Sequence, residues 1–410
     1  MEIIYLCHYF APEVGAPSAR GLEHCRRWLE QGHRVKVVTC FPNHPSGVVH
    51  EAYRGKLFRK ENLEDLEVYR NYVYATPNEG FLKKTLGHLS FMFTSVLFSL
   101  PRIGKAEVIV VSSPTFFSVF SGFVYKYLKK IPLVLDVRDL WPAAIVELGV
   151  LQNKFLIKIL EKIELSFYRR AEKVVVVTRR FKDNLVARGV PPHKVKIITN
   201  GVDTSFFSFS AEGRNRLRKE LRLEDKFVVL YIGAHGISHA LEKIIAVAER
   251  FQKDENEEVF FLFVGEGAVK AEIEKRAQEL GLENVRFLPS QQKEEMPGFY
   301  SMADVCLVPL RDVKIFETFI PSKMFEMMAC ERPIVASLAG EAEEILKESG
   351  AAEVVGPEDV EAISKALWRL KNDIKKREAM GQKGSEYVKV NYSRQKLADD
   401  YLELLRELTS

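Results

Sequence analysis

The apolar positions of this 410-residue chain fall into short continuous runs separated by amphipathic stretches. EIIYLC (2–7) is a run of the first kind. From about Ser18 to Gln31 the residues Leu22, Cys25, Trp28 and Leu29 recur at helical spacing, Gly32 closes the stretch, and RVKVVTC (34–40) is a second buried-type run. A strand, loop, helix and strand in that order open a doubly wound parallel sheet. Leu66 to Tyr74, VIVVSSP (108–114), IPLVLDVRD (131–139), KVVVVT (173–178) and KVKIIT (194–199) extend the pattern to a first sheet of about six parallel strands. The pattern then restarts. FVVLYI (227–232) meets a Gly-Ala-His-Gly turn and a helix from about Ser238 to Phe251. VFFLFVG (259–265), Val285–Leu288, Val305–Pro309, Ile334–Ser337 and Ala352–Val355 alternate with further helices. The predicted fold class is α/β: two Rossmann-like, doubly wound domains over 1–198 and 199–390, hinged near Asn200 to Arg214. A last helix within 391–410, with an apolar stripe at Leu397, Tyr401, Leu404 and Leu405, is expected to pack back towards the N-terminal domain.

Residues 81–104 do not fit either type of run. The apolar stretch from Leu89 to Leu100 is interrupted by Ser and Thr and flanked by Lys83, Lys84, Arg102 and Lys105. It is too short to cross a bilayer, which takes about 20 apolar residues. A buried helix of the first domain and a helix that partly enters the membrane interface both suit it, and one face could do each.

Composition is that of an ordinary globular protein and excludes low-complexity, collagenous and disulfide-rich classes. The five cysteines, at 7, 25, 40, 306 and 330, show no metal-ligand spacing and suggest reduced thiols in cytosol. The N-terminus reads as a strand rather than a signal peptide. Charge is uneven: residues 1–198 hold 30 basic against 18 acidic residues, a net of +12, and the remainder carries −8. A basic N-terminal half suits an anionic partner. Nucleic acid is not expected, because no base-stacking motif accompanies the charge.

The stretch Ile320–Pro333 (IPSKMFEMMACERP) carries the most chemistry. A Pro-Ser-Lys turn leads into a short apolar helix with one acidic residue, Glu326. Ser322, Lys323 and free backbone N–H groups at a helix N-terminus suit phosphate, and a carboxylate one turn on suits ribose hydroxyls. An ordinary helix with a polar cap is the bland alternative.

Nine segments in order make the chain resemble the family 4 retaining glycosyltransferases of GT-B fold, in the branch that builds bacterial surface polysaccharide. They are YFAPEVGAPSAR (9–20), GHRVKVVT (32–39), FPNHPSG (41–47), VRDLWP (137–142), TNGVDTSFF (199–207), FVGEGAVK (263–270), ENVRFLPS (283–290), MADVCLVPL (302–310) and IPSKMFEMMACERP (320–333). The resemblance implies two Rossmann-like domains facing across a cleft, an N-terminal acceptor-binding domain and a C-terminal donor-binding domain. Gly15, before the first helix, suits backbone approach to a diphosphate. Gly233, His235 and Gly236 correspond to the diphosphate-binding turn of the second domain. The family's arginine and lysine there are replaced by Ala234 and His239, so positive charge must come from Lys323, His235 or Arg138. Glu326 matches the ribose-binding glutamate. Its partner eight residues earlier is Thr318, so the carboxylate that contacts the transferred sugar is Glu317 in a shifted loop, or is absent. Asp139 stands where the family has a His–Asp pair, with Arg138 replacing the histidine. Arg138, Trp141 and Asn43 are assigned to the acceptor side, and Asp139, Glu317 and Lys323 to catalysis.

The resemblance implies transfer of a hexosyl or N-acetylhexosaminyl group from a UDP-sugar to a lipid-linked saccharide, with retention through same-face attack. No metal or cofactor is expected, and the chain has no Asp-x-Asp. It is expected to be cytoplasmic and peripheral on the inner face of the cell membrane, docked on anionic lipid. Two other readings remain open: a nucleotide-sugar epimerase or hydrolase of the same fold, and an idle homologue acting as a binding subunit.

Overall fold

The computed structural model describes every residue except 14–15, 45, 78–79, 114–115, 144–145, 147–151, 255–257 and 410. The chain divides into two compact units, Met1–Thr199 with Leu397–Ser410, and Asn200–Lys396.

The first unit is built on an eight-stranded sheet: β1 (Glu2–Leu6), β2 (Arg34–Cys40), β3 (Phe58–Leu63), β4 (Leu66–Asn71), β5 (Val108–Ser113), β6 (Leu133–Val137), β7 (Lys173–Val176) and β8 (Val195–Ile197). Their order is β3-β4-β2-β1-β5-β6-β7-β8. β5 and β6 are buried along their whole length, so both faces demand apolar side chains and the strands read as unbroken runs. All neighbours pair in parallel except β3, which runs antiparallel to β4 at the edge. Its sequence, FRKENL, has little apolar signal, and the periodicity of the chain does not announce it. Polar residues suit such a strand, because an exposed edge is protected by charge. Buried Arg70 of β4 pairs with Glu61 of β3 and donates from Nη2 to the Ala11 carbonyl at 2.6 Å, tying the edge hairpin to the loop after β1.

Helices Gly80–Thr94, Phe116–Lys129 and Lys154–Arg170 supply Phe91, Phe116, Phe123 and Phe167 to one core of this unit. The first of them continues as a π-helical turn, Ser95–Ser99. Two of the serines that interrupt the apolar run, Ser95 and Ser99, are buried and bonded: Ser99 Oγ donates to Asn71 Oδ1 at 2.8 Å, and Ser95 Oγ to Ser121 Oγ at 3.1 Å. The opposite side of the same run stays open, with Phe93 and Leu97 each 66% exposed. Helix Ala16–Glu30 and the C-terminal helix Arg394–Thr409, from Leu397 on, share another core with Trp28 and Tyr401 at its centre. Trp28 Nε1 donates to the Ala398 carbonyl at 3.2 Å, and Arg27 grips Asp399 with two bonds of 2.8 and 3.0 Å. Burying each of Leu397, Leu404 and Leu405 contributes about 1.5–3 kcal/mol, which dominates over the partly exposed ion pair.

The second unit has six parallel strands: β9 (Phe227–Ile232), β10 (Val259–Val264), β11 (Val285–Leu288), β12 (Val305–Pro309), β13 (Ile334–Ser337) and β14 (Ala352–Val355), ordered β11-β10-β9-β12-β13-β14. β9 is the switch point, flanked by β10 and β12, and ligands of open α/β sheets bind at the carboxyl end of such a strand. Asp304, just before β12, pairs with Arg214 and Arg218 and accepts from the Val228 N–H at 2.8 Å. Burial pushes its carboxyl up, but the two guanidinium groups outweigh this and hold it below the usual range. The aspartate of the 302–310 segment is therefore structural. Among the described residues no helix is long and apolar enough to cross a membrane.

Candidate active site

The loop after β9 folds tightly against the loop after β10. Gly233 has φ +137° and Gly265 φ +142°, and a Cβ on Gly265 would lie 2.0 Å from the Gly233 oxygen, so no other residue fits there. The Gly233 N–H donates to the Val264 carbonyl and the His235 N–H to the Glu266 carbonyl, each at 2.9 Å. The two glycine-lined turns thus form one rigid floor at the switch point.

Lys323 opens the helix Lys323–Ala329 and reaches back over that floor. Its Nζ stands 3.9 Å from the centre of the Tyr231 ring and would lie 3.6 Å from a Cβ on Gly233. The ammonium nitrogen is buried and has no hydrogen-bond partner. An unpaired buried charge is expensive, and burial lowers the lysine from 10.5 to about 7. His235 is fully buried, and neither of its ring nitrogens has a partner. Burial, aided by the charges of Lys270 and Lys323, lowers it to about 4; burial and Lys323 do the same to His239. The floor thus combines imidazoles whose protonated forms are disfavoured with a lysine lowered to about 7. An anionic ligand would reverse that balance by favouring the protonated forms.

The helix that carries Lys323 spans only seven residues, and Ser322 makes no side-chain cap. The dipole contribution expected from the sequence is correspondingly small, and the side chain of Lys323 is the principal cation. One turn on, Glu326 accepts a 2.6 Å bond from the hydroxyl of buried Tyr300. Burial raises the Glu326 carboxyl despite that bond. Tyr231 and Tyr300, which contact the two candidate side chains Lys323 and Glu326, look like core aromatics in the sequence. Glu317 sits in the turn Lys314–Thr318, pinned by close packing of Gly340 on its backbone.

In the first unit, Arg138 and Asp139 follow β6. Asp139 is exposed, whereas Nε and Nη1 of Arg138 are buried without partners. Arg20 is the residue the sequence did not suggest: it bonds Asp136 Oδ1 at 3.3 Å and the carbonyls of Ile198 and Thr199 at 2.9 and 2.6 Å. Asp136 and Arg20 therefore tie β6 to the segment that leaves the unit. Trp141 stacks on Phe116 at 4.2 Å, so its ring is engaged in packing. Asn43 is engaged too: its side chain donates to the Phe41 carbonyl at 2.9 Å. Glu13 accepts from the N–H groups of Phe10, Asn43 and His44 at 3.2, 2.7 and 2.8 Å, joining the first and third recognised segments. Gly15 lies outside the described residues. Among the described residues no three His, Cys, Asp or Glu side chains come together as a metal site.

Two parallel-sheet α/β units of this kind, the second with a glycine floor and a buried lysine at its switch point, define a GT-B glycosyltransferase. The description "Glycosyl transferases group 1" matches residues 213–387, and "Glycosyltransferase Family 4" matches 21–206. The two matches follow one another along the chain and together mark it as a glycosyltransferase of this two-domain kind. A putative colanic acid biosynthesis glycosyl transferase, WcaI of Escherichia coli (strain K12), is 29% identical over 88% of this chain and 90% of its own length. Among solved structures, sucrose-phosphate synthase from Thermosynechococcus elongatus superposes with a TM-score of 0.75 at 20% identity, covering 100% of this chain and 99% of the other. Anabaena HepE in complex with UDP-glucose gives 0.72 at 16% identity, covering 100% of both chains. At these identities the structures establish the shared fold.

Proposed function

We propose that the protein is a retaining glycosyltransferase that moves a hexosyl or N-acetylhexosaminyl group from a UDP-sugar to a lipid-linked saccharide during synthesis of a cell-surface polysaccharide. The observation that carries this reading is the buried, partnerless ammonium of Lys323 above the Gly233–Gly265 floor. A diphosphate suits such a group, because it develops negative charge as the sugar leaves. Glu326, oriented by Tyr300, suits the ribose hydroxyls. Ser322 and Gly236 line the same loops, and Asp139, Arg138 and Glu317 are the candidates for contact with the transferred sugar and the acceptor. In this scheme the acceptor hydroxyl attacks the face from which the diphosphate departs, and a phosphate oxygen takes its proton. No step calls for a cofactor.

The relative named for colanic acid biosynthesis supports the polysaccharide assignment, and the fold neighbour described with UDP-glucose supports the donor. A thermal-shift screen of UDP-, GDP- and dTDP-sugars tests the donor, because a ligand that binds only the folded state raises its melting temperature. Stabilisation by UDP-sugars above the others is expected; no response to any nucleotide-sugar would overturn the reading.

The protein is further proposed to sit on the inner face of the cell membrane through its first unit. Phe93, Leu97 and Leu128 are 66–69% exposed on two of the helices that cover one core, and Lys83, Lys84, Lys129 and Lys130 lie on or beside those helices. Exposed apolar side chains with lysines on or beside the same helices suit anionic headgroups, each cation near the surface contributing about 1 kcal/mol. Co-sedimentation with phosphatidylglycerol vesicles but not with neutral ones is expected. Equal binding to both, or none, would sink the idea.

A further inference from the structure

A second set of unused polar groups lies in the first unit, where β1, β2 and β4 end. His8 follows β1, His44 lies in the loop after β2, and Lys84 and His88 project from the helix Gly80–Thr94. With Tyr9 and Asn43 they line a cavity of about 310 Å³. The His8 ring stands 4.7 Å from both His88 and Tyr9, and Tyr9 stands 5.1 Å from His44. His8 is 2% exposed, and its Nδ1 has no partner. Three of the nine histidines of the chain thus meet in one place, drawn from positions up to 80 residues apart.

The charge pattern of the cavity is one-sided. Its lining contains no aspartate or glutamate among the described residues. Glu13, whose carboxylate lies against Asn43 and His44 of the lining, is committed to three backbone N–H groups. The helix Phe116–Lys129 contributes only an uncharged ring, Phe117, against His88. The polar side chains of the lining are imidazoles, one ammonium, the phenols of Tyr9 and Tyr74, the Thr76 hydroxyl and the Asn43 amide. Burial, reinforced by His88 and His44, keeps His8 well below its ordinary range, and burial with the Lys84 charge lowers His88 to about 4. The surroundings of His8 and His88 disfavour their protonated forms; a ligand of opposite charge would favour protonation, and each ring could then donate from both nitrogens.

We propose that this cavity binds an oxyanion of the acceptor, a phosphate or a carboxylate, through His8, His44, His88 and Lys84. The proposal rests on the glycosyltransferase reading for the word acceptor, but the anion site stands on its own geometry. A more open, more apolar groove of about 500 Å³ adjoins it, sharing Gly47, Val73, Tyr74 and Ala75. A prenyl diphosphate could therefore place its head in the cavity and the start of its chain in the groove, whereas a uronic acid would use the cavity alone.

The test is a titration of the full chain, labelled with ¹³C at histidine Cε1, with inorganic pyrophosphate, geranyl diphosphate and glucuronate, repeated in Lys323→Met to remove anion binding at the other unit. The His8 and His88 signals are expected to move to the protonated position, with proton uptake measurable by calorimetry in two buffers. Geranyl diphosphate binding more tightly than pyrophosphate assigns the anion to a lipid carrier; a response to glucuronate alone assigns it to a sugar acid. His44 and Lys84 are exposed, so His44→Gln and Lys84→Ala leave the fold intact. Each should weaken binding about tenfold, the value of one charge-assisted hydrogen bond. Silent histidine signals with all three probes, or affinities unchanged in both variants, would overturn the proposal. Nucleotide-sugar stabilisation measured alongside separates the two claims: if it persists while the histidines stay silent, only this inference falls.

Discussion

Replacing Lys323 by methionine should make the second unit more stable and less able to hold a nucleotide diphosphate. Methionine keeps the length of the side chain and its packing on Tyr231. The lysine is lowered from 10.5 to about 7 in the folded chain. At neutral pH that shift corresponds to about 4 kcal/mol of destabilisation, at about 1.4 kcal/mol per unit. Loss of the cation–π contact with Tyr231 returns about 1–2 kcal/mol. The balance favours the variant by about 2 kcal/mol, or about 4–8 °C in melting temperature for a unit of this size. Because the folded value lies below the unfolded one, the penalty is complete below pH 7 and fades as pH rises towards 10.5. The two proteins should therefore converge in alkaline buffer. Affinity for UDP should fall about 10–100-fold, as expected for a lost bond between charged groups. Differential scanning calorimetry from pH 6 to 10, with titration of UDP at pH 7, reads both effects. A variant that melts lower than the parent at pH 7 and still binds UDP equally well would refute the reasoning.

Three further outcomes follow from the same contacts. UDP affinity of the unaltered protein should be flat below about pH 7 and weaken above it, as Lys323 loses its proton in the free state; affinity independent of pH by calorimetry would contradict this. Glu13→Ala leaves three backbone N–H groups without their acceptor, and should destabilise the first unit by about 2–4 kcal/mol in urea melts, with faster amide exchange at Asn43 and His44. Asp304→Ala strands Arg214 and Arg218 and should lower stability by about 3–5 kcal/mol, as loss of one partner from a buried pair does, while Asp304→Asn retains part of it.

The central parallel strands, such as β5, β6, β9 and β10, were legible because burial on both faces forces unbroken apolar runs. β3 was not legible, because an edge strand is selected for charge and hidden among polar residues. Lys323, Glu326, Gly233 and Gly236 were legible because they belong to local features, a turn, a helix and their spacing; Gly265 was not, because its fit depends on the backbone of Gly233. Tyr231 and Tyr300 were not, since an aromatic residue in a strand or helix looks the same whether it fills a core or orients a side chain. Glu13, Arg20 and the His8–His44–His88 cavity depend on loops meeting across strands β1, β2 and β4, or on contact with the 198–199 segment, and no periodicity encodes such meetings. The short helix after Ser322 shows the opposite case. The Pro-Ser-Lys turn and the helix read from the sequence are present, but the helix spans only seven residues, so its dipole is small and the buried ammonium of Lys323 is the stronger candidate for holding a phosphate.

The most direct measurement is the anomeric configuration of the product formed from an α-linked UDP-sugar and a lipid-linked saccharide acceptor. Proton NMR of the newly joined sugar should show the small anomeric coupling of an α-linkage, formed only when the acceptor is present and lost in Lys323→Met. A β-linkage, or release of free sugar at the same rate without acceptor, would contradict the account.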